Sequence, residues 1–170
     1  MSNEWNAVNI PVPDPRARRS PTSEELRAWR SFTETTDLVK RRIEAELQQA
    51  SGLSSGDYAV LLALSEHAEH RLRSSPLAEH IGWERSRLSH HLTRMERRGL
   101  IVRQAVANDS RGAQIVLTEE GARTFRRASS PHLHSVQTLF VSALSTEQLA
   151  ALDDAMLALR AHVEATRSEG

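Results

Sequence analysis

Two short helical patterns and a hairpin pattern adjoin within residues 75–117, and this arrangement constrains the fold more than any other feature of the sequence. Ser75 followed by Pro76 predicts the start of the first helix, because serine caps helix N-termini and proline fits the first helical position. Gly82 directly follows the apolar stripe of this helix and predicts its end. A short helix and a tight glycine turn are therefore expected.

The second helical pattern covers residues 85–98, and Gly99 is expected to end it as a left-handed C-cap. β-rich runs at residues 100–106 and 113–117 then flank a polar, turn-prone segment, which indicates a hairpin. Two short helices joined by a tight turn and followed by a hairpin form a winged helix-turn-helix. In that fold the second helix enters the major groove of DNA and the hairpin is the wing.

Longer amphipathic helices are predicted on both sides of this unit. Thr22 with Glu25 forms a capping box that predicts the start of a first helix, which ends near residue 50. Ser145 with Gln148 forms a second capping box, which predicts the start of the last helix. The helix before the last one is expected to be interrupted or kinked at Pro131. The remaining predicted N-caps are Ser54 and Thr118. The predicted fold class is mainly α: a winged helix-turn-helix with long N- and C-terminal helices and a wing of two to three strands.

Charge and cysteine content limit the classes of function. The 22 basic and 22 acidic side chains cancel, so a nucleic-acid function must be argued from where the charges lie. Between Trp83 and Arg111, seven arginines stand against three acidic residues, which leaves a local net charge of about +4. The chain has no cysteine, which excludes disulfides and thiolate chemistry. It lacks a long apolar run and a signal-peptide pattern, so a cytoplasmic protein without membrane contact is expected.

The second helix of the motif has a wholly polar outer side when Leu88, Leu92 and Met95 are turned inward. Recognition helices present their first turns to base edges, and arginine can pair bidentately with guanine. Arg103 and Arg111 of the hairpin would extend this surface toward phosphate and the minor groove. The same pattern also fits an ordinary solvated helix face. The residues predicted to contact DNA on this helix are Arg85, Ser86, Arg87, Ser89, His90, Arg94 and Arg97.

Three segments, residues 75–82, 87–103 and 108–121, resemble the multiple antibiotic resistance regulator (MarR) family, within a similarity that covers about residues 26–163. The resemblance implies a homodimer in which the first and last helices join the two chains, so that two DNA-binding lobes read a palindrome. It also implies that Asp109 orients Arg111 through an ion pair and that Arg111 enters the minor groove. The dimerisation residues it implies are Leu26, Trp29, Leu144, Leu149, Leu152, Met156 and Leu159.

The resemblance further implies a small, often anionic aromatic effector that changes the spacing of the DNA-binding lobes. Trp29, Tyr58 and Arg71 are candidates to line its site, but large residues on apolar helix faces are more often core, so no effector residue is assigned. Within one structural domain, residues 1–21 are expected to form a flexible arm, 22–50 and 119–170 the dimerisation region, and 51–118 the DNA-binding region.

The sequence departs from the family pattern at the start of the recognition helix. Glu84 stands where serine or aspartate usually caps this helix, so the assignments of Arg85 and Ser86 hold to within about one residue. Trp83 before it is predicted to be a packing residue. His91, beside the Leu88 stripe, is predicted to be a half-buried core histidine rather than a base reader.

Metal binding and catalysis are weakly supported. The close pairs His67 with His70 and His132 with His134 have no accompanying carboxylate, so no metal and no cofactor is predicted. Neighbouring serine and histidine side chains at residues 89–91 point to different faces of a helix, so no enzyme is predicted. The predicted function is a sequence-specific transcriptional regulator, with repression favoured. An architectural DNA binder and a winged-helix protein-interaction module remain open as alternatives.

Overall fold

The computed structural model describes residues 20–106 and 109–168, with only the backbone of residues 106, 109–112, 167 and 168. The predicted N-terminal arm therefore lies outside the described residues, apart from its last two. The described part contains six α-helices, three strands and a short 3-10 turn at Val141–Ala143. In chain order they are α1 (Ser23–Ser51), α2 (Ser55–Glu66), β1 (Arg71–Arg73), α3 (Ser74–His80), α4 (Arg85–Arg97), β2 (Ile101–Val106), β3 (Asp109–Leu117), α5 (Glu119–Leu139) and α6 (Thr146–Ser168).

The chain divides into two compact units, Met1–Leu38 and Val39–Gly170. The first unit holds the start of α1, which the predicted capping box opens: the Thr22 N–H donates to the Glu25 carboxylate at 2.6 Å, and the Glu25 N–H donates to Thr22 Oγ1 at 3.2 Å. Leu26 and Trp29 are exposed in this unit, by 49% and 62%. The start of the first helix is thus confirmed.

The second unit contains the core of the winged helix-turn-helix. Ser54 caps α2, as the sequence predicted, and does so through a capping box with Asp57. Gly82, at φ +66°, turns the chain between α3 and α4, and Gly99, at φ +69°, follows the end of α4, both in the left-handed region that favours glycine. The fully buried side chains that fill this unit are Leu47, Leu53, Val60, Leu61, Leu64, Leu77, Leu88, Leu92, Met95, Ile101 and Ile115.

The predicted start of α3 at Ser75 is wrong. The helix begins at Ser74, Arg73 occupies the N-cap position without a side-chain cap, and Pro76 is the third helical residue. The reason is tertiary: Arg71–Arg73 pairs with β3, so the chain passes directly from a strand into the helix. The Ser74 hydroxyl donates to the Ala113 carbonyl at 3.3 Å instead of capping the helix.

The three strands form one antiparallel sheet in the order β1-β3-β2. Ile101 pairs with Leu117 and Arg103 with Ile115, and the register shifts near Ala105. The mainly α winged helix-turn-helix with a small wing is therefore confirmed. The wing has three strands, and the strand that the sequence did not place is β1.

The helix α5 continues through Pro131 and is not interrupted there, while the alternative prediction of a kink stays a prediction. Proline has no N–H, so the carbonyl of Arg127, four residues earlier, loses its helical hydrogen bond. Because both Pro131 and Arg127 are exposed, water can reach the Arg127 carbonyl. Thr118 caps α5 by accepting from the Gly121 N–H at 2.9 Å. In the described residues, no helix combines the length and apolar character that crossing a membrane requires.

Candidate nucleic-acid interface

The inward stripe of α4 fixes which side of the helix meets solvent. Leu88, Leu92 and Met95 are at most 1% exposed, and His91 beside them is 8% exposed, as predicted for a core histidine. The opposite side is polar throughout. The exposed residues there are the seven predicted on this helix, Arg85, Ser86, Arg87, Ser89, His90, Arg94 and Arg97.

The N-terminus of α4 is set by the turn before it rather than by a side-chain cap. Glu84 takes the N-cap position without a side-chain hydrogen bond, so the helix starts at Arg85. The Trp83 N–H donates to the Ala78 carbonyl at 2.9 Å and closes the turn. The Trp83 ring packs against the core and over Gly56, where an added Cβ would approach ring atom Cη2 to 2.6 Å. Trp83 is therefore the packing residue that the sequence predicted.

Two arginines of the outer face are held by neighbouring rings. The Arg87 guanidinium lies 4.1 Å from the centroid of the Trp83 ring, within the range of a cation–π contact. Arg94 Nη2 lies 2.9 Å from His91 Nδ1. Because arginine can only donate, His91 Nδ1 is the acceptor, and a neutral ring therefore carries its proton on Nε2. The Trp83 and His91 rings meet edge to face at 5.1 Å.

A buried carboxylate lies beneath this layer. Asp57 Oδ1 lies 3.0 Å from His91 Nε2, and Asp57 Oδ2 accepts from Arg98 Nη1 at 2.7 Å. Burial by itself would raise the pKa of the Asp57 carboxyl, but its contacts with His91 and Arg98 outweigh burial and hold this pKa well below its usual range. The carboxylate thus ties α2 to both the middle and the end of α4.

Arg103 ties the wing to the recognition helix. Its backbone N–H donates to Glu96 Oε1 at 3.0 Å, and its Nη2 donates to the Ser89 carbonyl at 2.9 Å and to Thr93 Oγ1 at 3.1 Å. The side chain is only 29% exposed. Arg103 therefore positions β2 against α4. The sequence predicted a contact with phosphate instead, but the Arg103 guanidinium is already bonded to Ser89, Thr93 and Glu96.

The tip of the wing carries the two remaining predicted DNA contacts. Asp109 and Arg111 lie in β3 by their backbone, and their side chains are outside the described part of the chain. Their ion pair and the minor-groove contact of Arg111 stay predictions.

Leu149, Leu152, Met156 and Leu159, which are predicted dimerisation residues, share one face of α6 by helical spacing, and Leu144 precedes that helix. Leu144, Leu149, Leu152 and Met156 are half-buried, and Leu159 is 45% exposed. Further exposed apolar side chains on α6 are Leu157 and Val163. A helix with this much exposed apolar surface is typical of one that meets a partner.

Of the histidines considered for metal binding, His67, His70 and His134 are exposed, and His132 is half-buried. Within the described residues, no group of three potential ligands comes together. His132 lies with its ring centroid 4.3 Å from that of Tyr58, and burial lowers the pKa of the His132 imidazole. Tyr58 also contacts Phe125 at 5.2 Å and is 9% exposed, so it is a core residue.

Sequence reasoning missed the long-range contacts that organise this surface. In the sequence Asp57 stands out only as an early acidic residue of α2, whereas its partner Arg98 is 41 residues away. The Ser54–Asp57 spacing signals the cap, but nothing local signals the buried ion pair.

Comparisons with known proteins agree on one family. The model described as the MarR family matches residues 51–112. AbsC, a MarR family transcriptional regulator from Streptomyces coelicolor, is 37% identical with a TM-score of 0.81, and the match covers 87% of this chain and 99% of the AbsC chain. Sco3205, a MarR family transcriptional regulator from the same species solved in complex with DNA, is 33% identical with a TM-score of 0.80, covering 84% of this chain and 90% of that one. The transcriptional repressor MprA of Escherichia coli K12 is 26% identical over 125 residues, which are 74% of this chain and 70% of MprA.

Proposed function

This chain belongs to the MarR family of transcriptional regulators, and we propose that it acts as a homodimer that represses transcription by binding a palindromic operator through α4 and the wing. The observation that carries the proposal is the outer side of α4. It is exposed and polar over its whole length, and Arg103 of β2 holds the wing beside it.

The arginines of this region divide into two groups with different roles. Arg98 and Arg103 are engaged within the chain, with Asp57 and Glu96. The four that α4 presents to solvent are Arg85, Arg87, Arg94 and Arg97. In this proposal, contacts of arginine with phosphate supply most of the affinity, and base contacts from the first turns of α4 supply the specificity.

The dimer is supported by exposed apolar side chains at both ends of the chain. In α1, Leu26 and Trp29 are exposed, and in α6 the same holds for Leu157, Leu159 and Val163. Two recognition helices related by a two-fold axis would meet two half-sites of opposite orientation, which makes the operator a palindrome. Repression is favoured by the similarity to MprA, which is a repressor.

The two alternative functions differ in their use of this surface. A protein-interaction module needs an apolar centre in its contact face, whereas the outer side of α4 carries none. An architectural DNA binder would use the same arginines but would not distinguish one duplex from another. Selectivity is therefore the property that separates the two DNA-binding hypotheses.

The test is an anisotropy titration of the purified protein with labelled duplex from upstream of its own gene. It is run with excess unrelated duplex and repeated over a range of salt concentrations. Saturable binding that survives the competitor, and weakens steeply with salt, is expected of a sequence-specific regulator. Binding lost equally to any duplex would favour the architectural role, and no binding at low salt would favour the protein-interaction module.

An effector of the small anionic aromatic class remains part of the proposal. Benzoate, the simplest member of that class, is the probe to add to the preformed complex of protein and operator. A saturable fall in anisotropy is expected if such compounds release DNA. An unchanged signal at millimolar benzoate would exclude benzoate as an effector that releases this protein from DNA.

A further inference from the structure

Trp83 and His91 lie behind the DNA-facing side of α4 rather than on it. Trp83 is half-buried and His91 is buried, so neither ring can be the main contact with a base. Each nevertheless holds one exposed arginine: Arg87 lies over the Trp83 ring, and Arg94 donates to His91 Nδ1. The two exposed guanidinium groups therefore have fixed neighbours in the protein without DNA.

Both contacts run toward the start of the helix. Trp83 precedes Arg87 by four residues, and His91 precedes Arg94 by three. Side chains of a helix lean toward its N-terminus, and that end of a recognition helix is the one presented to base edges. Both arginines are thus drawn toward the N-terminal end of α4, where sequence is read: Arg87 lies in its first turn, and Arg94 leans from its third turn toward its second.

The two rings are themselves fixed by the core. His91 lies 3.0 Å from the buried Asp57 carboxylate and meets the Trp83 ring edge to face. Gly56 leaves the space that both rings occupy, because a Cβ there would approach Trp83 Cη2 to 2.6 Å and His91 Cε1 to 3.0 Å. The layer from Asp57 to the two arginines is therefore connected and tightly packed.

We propose that Trp83 and His91 are positioning residues for DNA reading, which hold Arg87 and Arg94 in their base-reading directions before DNA binds. This inference rests on the proposed function. A long side chain that is ordered only on binding costs affinity, and the cost for one arginine corresponds to about a two- to tenfold change. The effect falls on the operator more than on unrelated DNA, because a phosphate can be reached from many side-chain conformations whereas a base edge cannot.

Two variants of His91 separate positioning from stability. His91→Gln keeps a donor that can reach Asp57 but places no acceptor at the position of Nδ1, whereas His91→Asn keeps an acceptor near Nδ1 and gives up the contact with Asp57. We expect H91Q to lower operator affinity about two- to tenfold while binding to unrelated duplex is unchanged. H91N is expected to lower the melting temperature and to keep the selectivity.

A double-variant comparison tests whether His91 acts through Arg94. H91Q added to R94A is expected to cause no further loss of selectivity, because the side chain that it positions is already absent. At Trp83, W83F is expected to lose less selectivity than W83L, since phenylalanine keeps a ring that attracts a cation more weakly than tryptophan does. The matched control is His67→Gln, which changes an exposed histidine after α2 and should behave as the wild type.

The results separate the positioning role of Trp83 and His91 from the proposed sequence-specific DNA binding. If the wild type selects the operator and H91Q selects it equally well, the positioning role is wrong and the regulator remains. Selectivity lost in both H91N and H91Q, in proportion to the fall in each variant's melting temperature, would also overturn the positioning role. A wild type that does not distinguish duplexes would overturn both.

Discussion

Replacing Asp57 with alanine removes the carboxylate that joins α2 to the recognition helix. This carboxylate is 5% exposed, accepts a charged hydrogen bond from Arg98 at 2.7 Å, and accepts from the Ser54 N–H at 3.0 Å in the capping box. A hydrogen bond to a charged group contributes about 1.5–3 kcal/mol, and a helix cap about 1 kcal/mol. Because the Arg98 side chain is 43% exposed and can be rehydrated, the lower part of the first range applies. The expected loss of unfolding free energy is therefore about 2–3 kcal/mol.

The assay is urea unfolding, monitored by far-UV circular dichroism, at one fixed protein concentration because the proposed dimer would make the measured stability depend on concentration. The control is Glu79→Ala, which removes an exposed acidic side chain of α3 and should change the free energy of unfolding by less than about 0.5 kcal/mol. A loss below about 1 kcal/mol for D57A would refute the reasoning, since the buried ion pair would then contribute no more than a surface pair.

The same pair predicts how stability depends on pH. The pKa of Asp57 is held below its usual value of 3.8, so the ionised form is bound more tightly in the folded protein. Its contribution is fully present above pH 3.8 and is lost as the pH falls through the lower folded pKa. The difference between wild type and D57A should therefore be constant at neutral pH and narrow in acid. A difference that stays the same down to acid unfolding would contradict the assignment.

Three further changes test the fold around the site. Gly121→Ala should destabilise by about 1–3 kcal/mol in a thermal melt, because its Cβ would collide with the rigid carbonyl oxygen of Leu100. Thr118→Ala removes the cap of α5 and should cost about 1 kcal/mol, whereas Thr118→Ser should restore most of it; equal losses would exclude capping as the cause. Arg103→Ala should speed amide hydrogen exchange in β2 and leave α2 unchanged, and unaltered exchange in β2 would show that this side chain does not hold the wing.

Local signals in the sequence were sufficient where the structure depends on local contacts. The capping residues Thr22, Ser54, Thr118 and Ser145 each bond to a residue three positions on, so their spacing alone predicts the helix starts. The polar face of α4 follows in the same way, because helical periodicity fixes which side chains share a face.

The predictions failed where distant contacts decide the outcome. The start of α3 lies at Ser74 because β1 pairs with β3, a partner about 40 residues away in sequence. Arg103 looks like a surface cation in the sequence, yet the packing of β2 on α4 turns its donors toward Ser89 and Thr93. Such contacts leave no periodic or local trace.

The most direct test of the account is the salt dependence of operator binding by Arg85→Ala/Arg97→Ala. Both side chains are exposed on α4, and Lys40→Ala/Arg41→Ala is the control, which removes the same charge from exposed positions of α1. We predict that the α4 variant binds more than about tenfold more weakly and that its plot of log K against log salt becomes shallower by about 1 for each arginine that no longer reaches a phosphate. The control should bind as the wild type does. Equal losses of affinity in both variants, or none in the α4 variant, would contradict the claim that α4 is the DNA-binding surface.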